Sequence, residues 1–199
     1  MEVSKRANRY LGIGCFLIAI GVLFFTTKYI CNYFLDTKNE KESEEKIKDF
    51  FKIKEQGNVK EIDYNYIAVL EIPSILLRKG LVDKNSPYNN INQNIQILKE
   101  SNMPNRENSV LILAAHSGYG SVSFFKKLDN VNISDTVNIL YNNEKYIYKV
   151  VSIYEKNKDG KINIKNEGNS SILVLTTCST RSRDKQLVVV ARLTNLYAY

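Results

Sequence analysis

From Tyr64 onward the chain is a close succession of strand-type runs with little room for helix between them, which limits it to a closed or nearly closed β-barrel. Tyr66 to Ile72 reads as a strand stopped by Pro73, and Ile75 to Val82 resumes after that break. Thr136 to Tyr141 and Lys145 to Ile153 read as a hairpin turning at Asn142-Asn143. Ser171 to Cys178 and Gln186 to Leu193 read as a last strand pair. Helix is predicted only over Asn89 to Lys99, where Ile91, Ile95 and Leu98 share a face, and as a turn over Val122 to Leu128. Two runs, Val110 to Ala115 and Ser171 to Cys178, are continuously apolar and read as buried core strands.

Each of those two buried strands ends in a reactive side chain. The first opens into His116-Ser117-Gly118, which holds the only histidine, and the second ends at Cys178. A thiol and an imidazole at the C-terminal edges of core strands are the parts of a cysteine acyltransferase, because the imidazole can take the thiol proton or protonate a leaving amine. Without such a partner, a cysteine after an apolar strand is more often an inert core thiol. Of the other two cysteines, Cys15 lies inside an apolar stretch and Cys31 at its far end, both distant from Cys178, and three cysteines without regular spacing make no disulfide framework. No CxxC pair or histidine cluster offers zinc ligands, and Asp129 and Asp135, being isolated, make a poor cation site. A net charge of +7 suits acidic surfaces such as anionic lipid or wall polymer, although the basic residues are spread along the chain. Nucleic-acid binding has no motif behind it.

The N-terminal third is organised differently. Residues 1–9 form a basic tail with Lys5, Arg6 and Arg9, and residues 10–34 are mostly apolar. About 20 apolar residues cross a bilayer as a helix, so 10–34 is expected to be a transmembrane signal anchor. The preceding positive charges place the N-terminus in the cytoplasm and the rest outside the cell membrane, as a single-pass protein. No small-residue cleavage site follows, and Cys15 precedes the apolar stretch where a lipoprotein cysteine would follow it. Residues 35–62 are rich in Lys and Glu, with Ile47, Phe50, Phe51 and Ile53 near helical spacing, and read as a charged helical linker. The catalytic barrel is assigned to residues 63–199.

Four stretches, taken in order, resemble the sortases, the membrane-anchored cysteine transpeptidases of Gram-positive bacteria. Ile67-Ala68-Val69-Leu70-Glu71-Ile72-Pro73 resembles the family's opening strand, and Leu113-Ala114-Ala115-His116-Ser117 its histidine segment. Phe124-Phe125-Lys126-Lys127-Leu128, followed by Asp135-Thr136-Val137, resembles what comes next. Leu175-Thr176-Thr177-Cys178 is similar to the T-L-x-T-C signature, with Val174 in place of the first threonine. The resemblance implies a mainly β fold, an eight-stranded sortase-type barrel with short helices behind an N-terminal transmembrane helix. It also implies cleavage of a sorting signal similar to Leu-Pro-x-Thr-Gly, with Cys178 forming a thioester and His116 serving as acid and then base. The acyl acceptor would be an amine from a peptidoglycan precursor or a pilin lysine, and the step needs no metal or organic cofactor.

The main departure from the family concerns an arginine placed just before a Leu-Val-Val-like run, where this chain has Gln186 before Leu187-Val188-Val189-Val190-Ala191. An amide can donate to a developing oxyanion but brings no charge, so Arg183, or Arg181, from the Ser179-to-Lys185 loop is expected to substitute, with Arg183 nearer the strand. Gln186 is then a substrate-binding candidate, as is Tyr119, three residues beyond His116. Ser117 and Ser179 read as turn residues and Thr177 as packing. The absence of an Asp-Pro-aromatic lid segment favours wall anchoring over the alternative of pilin polymerisation. A rival from another class is a catalytically weak barrel that binds sorting peptides, motivated by Gln186. An L,D-transpeptidase signature does not fit Thr176-Thr177-Cys178-Ser179-Thr180.

Overall fold

The computed structural model describes residues 17–23, 26–27, 30, 41, 65–162 and 170–198. The predicted tail at 1–9 lies outside the described residues, as do most of the 10–34 anchor and the 35–62 linker. Residues 17–23 are helical, and Leu17, Ile18, Ile20, Val22 and Leu23 expose their side chains. Among the described residues, no helix is long and apolar enough to cross a membrane.

The strands are β1 (Tyr66–Ile72), β2 (Leu77–Val82), β3 (Gln96–Ile97), β4 (Val110–Ala114), β5 (Thr136–Tyr141), β6 (Glu144–Asn157), β7 (Ile172–Cys178) and β8 (Lys185–Ala198). They form one eight-stranded sheet in the order β2-β1-β5-β6-β8-β7-β4-β3. Its edge strands β2 and β3 meet, so the sheet nearly closes into a barrel. All neighbours are antiparallel except β4 and β7, which run parallel with Ala114 opposite Thr176.

Alternation along the strands builds the interior. Leu70, Ile72, Leu111, Leu113, Ile139, Tyr148, Leu173, Leu175 and Val189 meet inside the barrel. A second cluster of Ile172, Val174 and Val188, with Ile112, Tyr154, Ile162 and Val190 against it, covers the other face of the β4–β7–β8 region. β7 is therefore buried on both sides from Ile172 to Thr177, which explains its unbroken apolar run, and only Cys178 emerges. Gly80 on β2 leaves room for the Tyr66 ring, whose carbons would lie as close as 2.5 Å to an added Cβ.

The hairpin turns at Asn142-Asn143 with φ of 51° and 65°, values that a tight two-residue turn requires and that Asn tolerates. Four local expectations are corrected. Ile75 does not begin β2: Pro73–Ile75 is a 3-10 turn and Leu76, at φ 56°, reverses the chain first. The predicted helix at 89–99 is instead a series of turns leading into β3. Its asparagines compete with the helical backbone: Asn89 Oδ1 accepts from the Ile97 amide (2.7 Å), and Asn89 Nδ2 donates to the Ile97 carbonyl (2.9 Å). The turn over 122–128 continues into a 3-10 turn at Leu128–Asn130, and these two three-residue turns are the only helical elements among the described barrel residues. Finally, β6 and β8 run on to Asn157 and Ala198, because pairing with each other, across two register shifts, extends both.

Candidate active site

The parallel pair places the two reactive residues. Extending its register by two positions beyond Ala114 and Thr176 sets His116 opposite Cys178 at adjacent strand ends. Main-chain and side-chain hydrogen bonds carry the contact past the paired residues. The Ala115 amide donates to the Thr176 carbonyl (3.3 Å), Thr177 Oγ1 donates to the Ala115 carbonyl (2.7 Å), and Ser117 Oγ donates to the Cys178 carbonyl (2.7 Å). On its other side the His116 carbonyl accepts from the amide of Phe125, whose ring is sunk in the core. The backbone beneath the imidazole is thus held from both sides.

Cys178 is a free thiol, open to solvent at the tip of a buried strand. The His116 ring is half-buried, with Nε2 3.2 Å from Asn92 Oδ1. On the other side of β7, Gln186 of β8 pairs with Cys178 and is itself half-buried. Lys156 of β6 lies next across from Gln186, and its ammonium is engaged by Asp159 at 3.0 Å. The order across the rim is therefore imidazole, thiol, amide, ammonium.

The loop after Cys178 is tied down by hydroxyls. Ser179 Oγ accepts from the amides of Arg181 (3.0 Å) and Ser182 (3.2 Å) while donating to Glu155 Oε1 (2.7 Å). Thr180 Oγ1 donates to Asp129 Oδ2 (3.2 Å), which uses one of the two aspartates read as isolated. Arg183 is exposed on this loop, and its carbonyl accepts from Lys158 Nζ (2.6 Å), which draws its main chain toward β6. Tyr119 is fully exposed. His116, Cys178 and Gln186 thus occupy neighbouring strand ends, whereas Arg183 and Tyr119 stand on loops around them. No group of three His, Cys, Asp or Glu side chains is placed to hold a metal among the described residues.

Sequence reasoning missed Asn92, which it assigned to a helix, and it missed the part that Ser117 plays in joining the strand ends. The dense Asn run at 89–94 was the available signal, since asparagine favours turns and local hydrogen bonds over helix interiors. Thr177 is buried, as its reading as packing implies, and it also caps the Ala115 carbonyl.

A family model described as a sortase domain matches residues 70–194. Among solved structures, the chain is similar to sortase C of Streptococcus pneumoniae, at 18% identity and a TM-score of 0.60 over 70% of this chain and 73% of that one. Sortase E1 of Streptomyces coelicolor, solved with a tripeptide in the active site, is 16% identical with a TM-score of 0.58 over 67% and 90% of the two chains. Sortase A of Listeria monocytogenes is 14% identical with a TM-score of 0.57 over the same shares, 67% and 90%. No curated protein matches the chain.

Proposed function

The chain belongs to the sortase family, and from that premise we propose that it is a cysteine transpeptidase that cleaves an LPxTG-like sorting signal and joins the released acyl group to an amine, anchoring surface proteins to the cell wall. The observation that carries this reading is the parallel β4–β7 pair, which brings an exposed, unpaired thiol and the only histidine to adjacent strand ends.

In the proposed mechanism, His116 takes the Cys178 thiol proton and the resulting thiolate attacks the carbonyl carbon of the signal's Thr-Gly bond. The tetrahedral intermediate collapses as the C–N bond breaks and His116 protonates the departing glycine amine, leaving a thioester on Cys178. An incoming amine attacks that thioester, His116 takes its surplus proton, and the thiolate departs. Thioesters are reactive toward amines, and a thiolate is nucleophilic near neutral pH. The Arg183 guanidinium supplies the charge opposite the developing oxyanion that the Gln186 amide lacks, while Gln186 and Tyr119 contact the peptide. The acceptor amine comes from a peptidoglycan precursor or a pilin lysine. Residues 10–34 anchor the protein in the cell membrane, N-terminus inside and barrel outside. The exposed apolar side chains at 17–23 support that placement.

Thioester trapping on the full chain tests the reading. The wild type should form a covalent adduct with a sorting-motif peptide, and Cys178→Ala should form none; His116→Ala should lose transfer to added amine. Arg183→Ala should lower turnover by about 10²-fold. An unchanged rate would hand the oxyanion to Gln186, whose register beside Cys178 favours that second assignment. Peptide binding with no adduct in the wild type would replace the enzyme with a sorting-peptide-binding barrel.

A further inference from the structure

The side chain facing His116 from β3's approach segment is an amide with no part in the thiol chemistry. Nε2 of His116 lies 3.2 Å from Asn92 Oδ1, within hydrogen-bond range. An amide oxygen can only accept, so the ring nitrogen that meets it carries a proton. We propose that Asn92 is a positioning residue that holds the His116 imidazole as its Nε2–H tautomer, leaving Nδ1 as the nitrogen available to Cys178 and to the departing and arriving amines.

The segment that carries Asn92 is braced as if for such a task. The Asn92 amide donates to Asn90 Oδ1 (3.1 Å), and Asn90 Nδ2 donates to the Pro87 carbonyl (3.0 Å) and to Gln93 Oε1 (2.9 Å). The Asn94 amide closes the turn on the Asn90 carbonyl (2.8 Å), and the next residue, Ile95, is buried. Asn89 clamps Ile97, and β3 pairs with β4 through Gln96–Ala114 and Ile97–Leu113. The strand that delivers the ring is therefore the strand on which the acceptor's segment is mounted.

The choice of an amide has a chemical consequence. Residues 89–98 carry no charged side chain, so the acceptor fixes the ring without the strong pull toward imidazolium that a carboxylate would exert. A ring that must give a proton in one half-reaction and take one in the next is served by a neutral partner that orients it. By register Cys178 lies opposite His116; along the chain, Arg181 and Arg183 stand on the loop after Cys178, Lys126 and Lys127 follow Phe125, and Tyr119 lies on the ring's own loop.

Because the chain has a single histidine, ring-nitrogen NMR of the full chain labelled with ¹⁵N-histidine, in detergent, reports this ring alone. The neutral ring should be predominantly the Nε2–H form. Asn92→Ala should shift it toward the mixed populations of a free imidazole and lower kcat by about 10-fold with KM unchanged. Asn92→Asp should restore the tautomer, raise the ring's titration midpoint and carry the alkaline limb of the rate profile upward with it. Either an Nδ1–H ring in the wild type, or a tautomer and titration untouched by both variants, would overturn the proposal. The kinetic arm rests on the transpeptidase reading and the NMR arm does not. A wild type that forms no thioester but shows the Asn92-dependent tautomer would sink that reading and leave this inference standing.

Discussion

The β5–β6 hairpin and the β4–β7 pair belong to one sheet, separated by β8, yet they are specified in different ways. The hairpin is closed by Asn142 and Asn143, both at positive φ, so its register follows from two adjacent residues. The β4–β7 pair joins residues 62 apart, with that hairpin inserted between them, and no turn sets its register. Burial sets it: Leu111 and Leu113 must face the same interior as Leu173 and Leu175, and a slip of one residue would turn one of the two rows away from that interior. The reactive residues lie on the second kind of pair. Their alignment consequently depends on the whole core, whereas the hairpin's depends largely on itself.

The largest expected effect comes from cutting into the core beneath the site. Leu175→Ala should destabilise the fold by about 2–5 kcal/mol in urea denaturation, and it should lower turnover under conditions where the protein remains folded. Ile139→Ala, an equally buried truncation on the hairpin, should cost similar stability without that loss of turnover. Equal turnover in the two variants would erase the distinction between the pairs. Next in size, Thr177→Val removes the hydroxyl that caps the Ala115 carbonyl, at a cost of about 1–3 kcal/mol. Chemical denaturation measures the loss, and a value near zero would mean that the strand ends are joined by the remaining contacts.

A third test bears on the hairpin's second strand, β6, at alkaline pH. Burial, with Glu144 bonded to its hydroxyl, raises Tyr146 from 10.0 to about 12, and burial also raises Tyr148. Both phenols ionise more readily in the unfolded chain. Their contribution to stability is thus intact below pH 10 and is lost as the pH climbs through about 12. Denaturation midpoints should fall over that window, and Tyr146→Phe combined with Tyr148→Phe should flatten the fall. The smallest effect is expected at the turn, where Asn143→Gly removes a left-handed side chain and should stabilise by about 0.5 kcal/mol. A destabilised variant would show that more than turn conformation holds this hairpin.

Much of the architecture was legible from the chain because alternation, continuous apolar runs and turn chemistry are local properties. Tyr66–Ile72, Val110–Ala114, Ile172–Cys178 and the Asn-Asn hairpin lie where their residues place them, to within one residue or two. The segment 89–99 was misread because Ile91, Ile95 and Leu98 fit a helical period equally well. The asparagines' hydrogen bonds to Ile97 and Pro87 decide against it, and they exist only once the chain has turned.

By themselves, then, the residues determined that a thiol and an imidazole would each stand at the end of a buried strand, since continuous apolar runs must be buried wherever they pack. Only the tertiary structure decided that those strands are parallel neighbours, that Gln186 is paired directly with Cys178, and that Asn92 meets the ring. Pairing across such sequence distances is selected by the fit of the complete core, a property that no single segment of the chain encodes.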